Sequence, residues 1–380
     1  MSRNAETIYV LRFLLGMLSA TSWPGITALL FNWYTPSELA VRLAIFGVSD
    51  VAGAMFLGII QAELYRNMNG TLGLAGWQWL FIISGVLTVI IGSFGLVFVP
   101  DSPVNTRAIY LTAAERKLAR ERIEKHGTEP ARLVSFRVVL QKTALLLRHP
   151  TTWLYIAAFS QNMWASKVNQ YIMLYLEQVR DGEGNLMYDT YQVNIIPLGG
   201  YALQIVSVIG FNALGDWKHW RWQIHIGLAL VHIVATSLLA AWPDSHGVIM
   251  FAFSLSYCTL ASAAPSIIAW ISEILRAEPE ARAIVVGFAV VIVYVGPATI
   301  PLGIWKVSDA PQYPKGYPTA IGLTIGSIVA VLTMRFWFLR RHPGFPDRGY
   351  NGRPTPHEVE EKYENADIEA KASNSQEGRS

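Results

Sequence analysis

A single cysteine, Cys258, stands in 380 residues, which excludes an internal disulfide and any cysteine-rich metal site. Charge is scarce too, at 15% of residues, and the net +3 is spread over polar links instead of forming a patch that would hold nucleic acid. The chain shows no clustered nucleophile, no set of metal ligands and no phosphate loop, so the sequence implies no catalytic residue, metal or prosthetic group. A cleavable leader is missing as well, because the first apolar run is too long and the residues before it are too weakly basic. Nor do the apolar stretches alternate in the manner of barrel strands.

What fills the chain instead is long apolar sequence, with apolar residues at 52%. Nine stretches, at residues 8 to 33, 41 to 64, 77 to 99, 152 to 176, 194 to 214, 222 to 242, 247 to 271, 283 to 304 and 318 to 339, each supply the roughly 20 helical residues that a hydrocarbon core of about 30 Å requires. Lipid offers no partner to backbone N–H and C=O groups, so such spans are α-helices. Aromatic residues gather at their ends, as at Trp33 and Tyr34, Trp77 and Trp79, and Trp217, Trp220 and Trp222, where an amphipathic ring suits the headgroup zone. The fold class is therefore an all-α polytopic membrane protein, with the lipid bilayer as its first partner.

Orientation follows from charge. Residues 101–149 hold ten basic residues from Arg107 to Arg148 against five acidic ones, which places this central loop in the cytoplasm. Alternating outward from it, the links near Arg42, at Asp216 to Arg221 and at Arg276 to Arg282, and the tail after Arg340, are also inside. The amino terminus then falls outside, which points to a missing upstream segment. The expected organisation is three spans in 1–100, the loop in 101–149, six spans in 150–341 and a disordered cytoplasmic tail in 342–380. Within the loop, LTAAERKLARERIEKHG reads as a helix capped by Thr112 ahead of Glu115 and stopped at Gly127. Asn69-Gly70-Thr71 is a glycosylation sequon on the outer side.

Longer matches carry a resemblance. RFLLGMLSATSWPGITALLFNWYTPSELAVRLAIF at 12 to 46, MFLGIIQAELYRNMNGTLGLAGWQWLFIISG at 55 to 85, PDSP at 100 to 103, YQVNIIPLGGYALQI at 191 to 205, Trp270 and Glu273 followed by EPEARA at 278 to 283, and DAPQYPKGYPTA at 309 to 320 occur in order. Together they resemble the major facilitator superfamily, more narrowly the fungal allantoate permease family of anion:cation symporters and its pantothenate transporter branch. The resemblance implies twelve helices in two halves, of which this chain holds about nine, beginning at the fourth. The basic G-x-x-x-D-R-x-G-R loop of that family is absent, and GFNALGDWKHWR at 210 to 221 resembles a degenerate counterpart. Asp216 and Arg221 within it either pair across a cytoplasmic helix junction or form a plain solvated turn.

Ionisable residues inside spans are costly, by at least about 2.5 kcal/mol, and so mark cavities or partners. Lys167 lies mid-span in a polar stripe with Asn162, Ser166, Asn169 and Gln170. In a symporter of this class that helix lines the central cavity, so Lys167 either holds an organic carboxylate or snorkels from an interhelical network. Asn162, Asn169, Gln170 and Gln204 join it as substrate-binding candidates. Asp50 is a proton-coupling candidate, a partner of Arg42 or the cap of a bend near Gly53. Arg12 corresponds to an arginine that the superfamily often keeps in its fourth helix, which implies an influence on proton movement, and pairing at the outer boundary is its other explanation. Glu273 with Arg276 and Arg282 forms a gate or a structural ion-pair cluster. His225 and His232 share one helical face and serve packing or a proton path.

The function that these readings imply is secondary active transport: proton-coupled uptake of a small organic anion, pantothenate-like, by alternating access, with no cofactor and no nucleic acid. The family default for localisation is the plasma membrane. A truncated non-transporting product or a nutrient receptor is the alternative, and an integral membrane enzyme the remote one.

Overall fold

The computed structural model describes residues 5–338 except 104, 126–135 and 276–278. The tail expected to be disordered, the Gly127 stop and Arg276 fall outside those residues. α1 (Ala5–Ser19) and α2 (Ser22–Trp33) are followed by α3 (Pro36–Met68), α4 (Gly76–Phe98) and the shorter α5 (Ala113–Lys125) and α6 (Phe136–Leu147). α7 (Pro150–Ala165), a 3-10 run (Ser166–Tyr171) and α8 (Ile172–Gln178) then follow one another without a gap. α9 (Thr190–Lys218), α10 (Arg221–Ala241), α11 (His246–Tyr257), α12 (Leu260–Ile274), α13 (Pro279–Gly303) and α14 (Gly316–Leu332) complete the set. Among the described residues the only strand-like pairing is the bridge between Arg180 and Leu186.

Local chemistry sets these boundaries. Pro36 opens α3 at a position where its missing N–H costs nothing. Asp189 accepts from the Gln192 backbone N–H at 2.7 Å while the Gln192 side chain accepts from Asp189 N–H at 3.0 Å, so the start of α9 satisfies its own donors. α5 begins in the same way at Thr112 and Glu115. The Thr112 N–H, and after it the Thr112 hydroxyl, hold the exposed Glu115 carboxyl below its ordinary range. Its help to the helix start is present above the unfolded pKa and is lost as pH falls.

Among the described residues, eight helical stretches are long and apolar enough to cross a bilayer, and they coincide with eight of the nine expected spans. The ninth, expected at 152 to 176, is helical throughout but does not qualify on apolarity, because Asn162, Lys167, Asn169 and Gln170 interrupt it where α7 gives way to the 3-10 run. Asn162 and Ser166 are buried at this break, and irregular backbone occurs at membrane depth where protein or a water-filled cavity, not lipid, surrounds it. α7 is packed between α13 and α14, and Tyr155 and Phe159 on it are buried in a core shared with Ile268 and Trp270. α3 lies along α9 and α12, and α4 rests on α3. Leu18 on α1 and Leu96 on α4 are 75% and 89% exposed, an arrangement that water opposes and lipid does not. The chain is a multi-pass membrane protein.

Close contacts along α13 yield a first prediction. A Cβ on Gly296 would lie 1.9 Å from the Trp164 Nε1, which is fixed by donating to the Val293 carbonyl at 3.0 Å. Gly296→Ala is expected to destabilise by about 1 to 3 kcal/mol through overpacking. Gly287→Ala on the same helix meets open space and gains about 0.5 to 1 kcal/mol from helix propensity. Thermal unfolding of the detergent-solubilised protein should move in opposite directions for the two variants.

Candidate functional site

A cavity of about 290 Å³ opens between α2 and α3 on one side and α7, the 3-10 run, α9, α12 and α13 on the other. Its second wall is shaped by the change of helical period at Ser166. In a 3-10 turn residues three apart are eclipsed, so Lys167 aligns with Gln170 and Ser166 with Asn169, and all four reach the cavity. Lys167 forms no ion pair within 4.0 Å among the described residues. From the opposite wall α3 presents Asp50, flanked by Gly47 and Ala54, whose small side chains leave the space. Tyr201 and Gln204 enter from α9.

The structure thus brings Lys167, Asn169, Gln170, Gln204 and Asp50 around one space. It does not bring Asn162 there. Asn162 is fully buried and donates through Nδ2 to the Leu260 carbonyl at 3.1 Å, tying α7 to the first residue of α12. The expected stripe assumed one helical period throughout, and the 3-10 run turns the later residues away from Asn162. Arg12 is exposed on α1 and outside the cavity wall.

A second cluster lies where α9, α10 and α12 meet the start of α3. Arg221, 3% exposed, donates through Nε to Glu273 at 2.7 Å and through its terminal nitrogen to Asp216. The other Asp216 oxygen accepts from the Val41 backbone N–H at 2.9 Å. One buried guanidinium therefore holds two carboxylates, and one of these grips a helix across the cavity from its own. His219 makes the cluster possible by taking a left-handed conformation, φ 55°, between α9 and α10.

Arg282 does not belong to this cluster, which corrects its expected grouping with Glu273. α12 ends at Ile274 and α13 starts afresh at Pro279, so Arg282 faces α2, where its guanidinium sits 4.7 Å from the Phe31 ring centroid. Its Nε has no hydrogen-bond partner among the described residues. His225 and His232 are buried singly, His225 Nε2 lying 3.0 Å from Ser327 Oγ and His232 Nδ1 2.9 Å from Thr259 Oγ1. Asn69 is exposed, and its side-chain oxygen accepts from Gly76 N–H at 3.1 Å.

Some of the wall gave no signal in the sequence. Trp23, Tyr201 and Tyr294 line the cavity, yet aromatic residues inside a span ordinarily read as core. Val41 acts through its backbone, which residue type does not reveal.

Comparison with known proteins places the chain. The pattern of the Major Facilitator Superfamily matches residues 1–301. The MFS transporter PfmaC of Pestalotiopsis fici is 33% identical over 331 residues, covering 85% of this chain and 59% of the relative. The pantothenate transporter liz1 of Schizosaccharomyces pombe is 28% identical over 341 residues, covering 86% and 62%. The vitamin H transporter of Saccharomyces cerevisiae is 27% identical over 333 residues, covering 85% and 54%. The chain spans little more than half the length of these relatives.

Proposed function

Because the chain belongs to the Major Facilitator Superfamily, we propose that it acts in secondary transport, carrying a small organic monoanion of the pantothenate type inward with protons by alternating access. The observation that carries this reading is a cavity in which one cation, Lys167, and one carboxylate, Asp50, face each other's walls among amide side chains. Lys167 supplies the charge that draws a substrate carboxylate out of water. Asp50 takes up the coupled proton, because a neutral carboxyl no longer opposes an anion in the same space. The names of two relatives, a pantothenate and a vitamin H transporter, support a vitamin-like acid as cargo.

Arg221, Asp216, Glu273 and Val41 form the closed gate in this reading, on the cytoplasmic side. Their bonds join α3 to α9, α10 and α12, so they must part when the cavity opens that way. Such a switch between two packed arrangements suits helices that meet around a midplane site. The plasma membrane is the proposed location.

The test is uptake of radiolabelled pantothenate by cells that lack their own carrier and express this chain. Uptake that rises as the outer pH falls, and that unlabelled pantothenate suppresses, supports the reading. Cells that carry the chain in the membrane and take up no more label than controls would contradict it.

A further inference from the structure

α6 takes no part in the cavity or in the Arg221 cluster, and its sequence, FRVVLQKTALLL, holds no Asp or Glu. One side of it is committed to the bundle. Leu146 is buried in the core that holds Tyr155 and Ala281, Val139 and Thr143 are half-buried, and Lys142 pairs with Glu280 at 3.1 Å. At 3.6 residues per turn these four share one face, so Arg137, Leu140, Gln141, Ala144, Leu145 and, just past the helix end, Arg148 fall on the other. All six are exposed, Leu140 and Leu145 by 60% and 53%. The side chains of Arg137 and Arg148 make no hydrogen bond or ion pair among the described residues.

Two contacts fix the level at which α6 lies. Lys142, at its middle, reaches Glu280, where the apolar stretch of α13 begins. At its end the Leu147 carbonyl accepts from the Trp153 indole N–H at 2.7 Å, in the first turn of α7. Trp153 is itself half-exposed, and an exposed indole at the end of a spanning helix sits among headgroups. Middle and end are both level with the ends of membrane helices, so α6 runs along the membrane surface. Water suits its outer face poorly at the centre, where Leu140, Ala144 and Leu145 form an apolar strip. Unpaired cations at both ends of such a strip, with no acid among them, match a lipid surface of negative charge. A second copy of the helix packed on that face would bring arginine against arginine in either direction.

We propose that α6 is an in-plane helix that docks on the leaflet of its own side, the cytoplasmic one by the charge bias of the central loop, with Leu140 and Leu145 at the acyl boundary and Arg137 and Arg148 on the headgroups of anionic phospholipids. Through Lys142 and Glu280 the docked helix ties the start of α13 to that leaflet. Nothing in this depends on the cargo of the cavity.

A dye on the exposed face reports what covers it. In a Cys258→Ser background, a fluorophore is attached at Leu140→Cys, and the protein is placed in nanodiscs of phosphatidylcholine alone or of phosphatidylcholine with phosphatidylserine. Quenching by lipid-borne doxyl groups is set against quenching by acrylamide in the water, with Leu96→Cys on the exposed side of α4 as the lipid-facing standard. The dye on α6 should approach that standard when phosphatidylserine is present and fall short of it in phosphatidylcholine alone. Arg137→Gln and Arg148→Gln together should lower the lipid share several-fold in the phosphatidylserine discs, each arginine near such a surface being worth about fivefold in binding. The value in phosphatidylcholine alone should not change. Quenching at Leu140→Cys by acrylamide alone would overturn the proposal by placing the face in water, and quenching by neither agent would overturn it by placing protein there. Lipid quenching that ignores both phosphatidylserine and the two arginines would overturn the anionic headgroup contact.

Discussion

Lys167→Met is expected to weaken the apparent affinity for a carboxylate substrate by roughly one to two decades, with expression and membrane insertion unchanged. The ammonium stands in the cavity without an ion-pair partner among the described residues, so removing it leaves no carboxylate of the protein stranded. The loss is that of one charge-assisted contact, about 1.5 to 3 kcal/mol. Lys167→Arg should rescue poorly, because a planar fork differs from a compact ammonium in shape and reach, and the 3-10 run holds the backbone that aims it. Concentration dependence of uptake in the three forms checks both statements. Unchanged affinity in the methionine variant would move the anion site elsewhere and leave Lys167 a structural role.

Arg221→Met should have the largest effect on stability. The guanidinium is 3% exposed and is the counter-charge for both Asp216 and Glu273, so its removal leaves two carboxylates facing each other at a helix junction. Breaking a buried pair by removing one partner costs about 3 to 5 kcal/mol. Asp216→Asn is the milder change, since an amide oxygen still accepts from Val41 N–H. Thermal unfolding in detergent should rank wild type above Asp216→Asn, and Asp216→Asn above Arg221→Met. Equal melting temperatures would mean that the cluster is solvated and holds nothing together.

The fold was legible in the sequence because bilayer physics is severe. A stretch such as 77 to 99 has no reading other than a spanning helix, and α4 covers Gly76–Phe98. The stretch at 152 to 176 was legible as helix but not as a broken one, since nothing in its residue types announces the change from 3.6 to 3 residues per turn at Ser166. That change is why Asn162, placed with Lys167 on one stripe, turns instead to the Leu260 carbonyl. Asp50 and Lys167 stood out because a charge inside a span demands an explanation, and both border the cavity.

Partners across helices were harder to see. Glu273 has Arg276 and Arg282 as its neighbours in sequence, yet its hydrogen bond goes to Arg221, 52 residues away. The grip of Asp216 on Val41 spans 175 residues and uses a backbone donor, which no side-chain pattern records. The break before α12 was invisible for the same reason: Cys258 and Thr259 are not helix breakers, and tertiary contacts to His232 and Asn162 hold it open.

Proton coupling through Asp50 is the centre of the proposed mechanism, and reconstitution measures it most directly. The purified chain is placed in liposomes with radiolabelled pantothenate outside, and an acid-outside pH gradient is imposed. The wild type should accumulate label above the outside concentration and stop doing so when the gradient is collapsed, whereas Asp50→Asn should equilibrate label without accumulation at any gradient. Gradient-driven accumulation by Asp50→Asn equal to that of the wild type would contradict the role of this carboxylate.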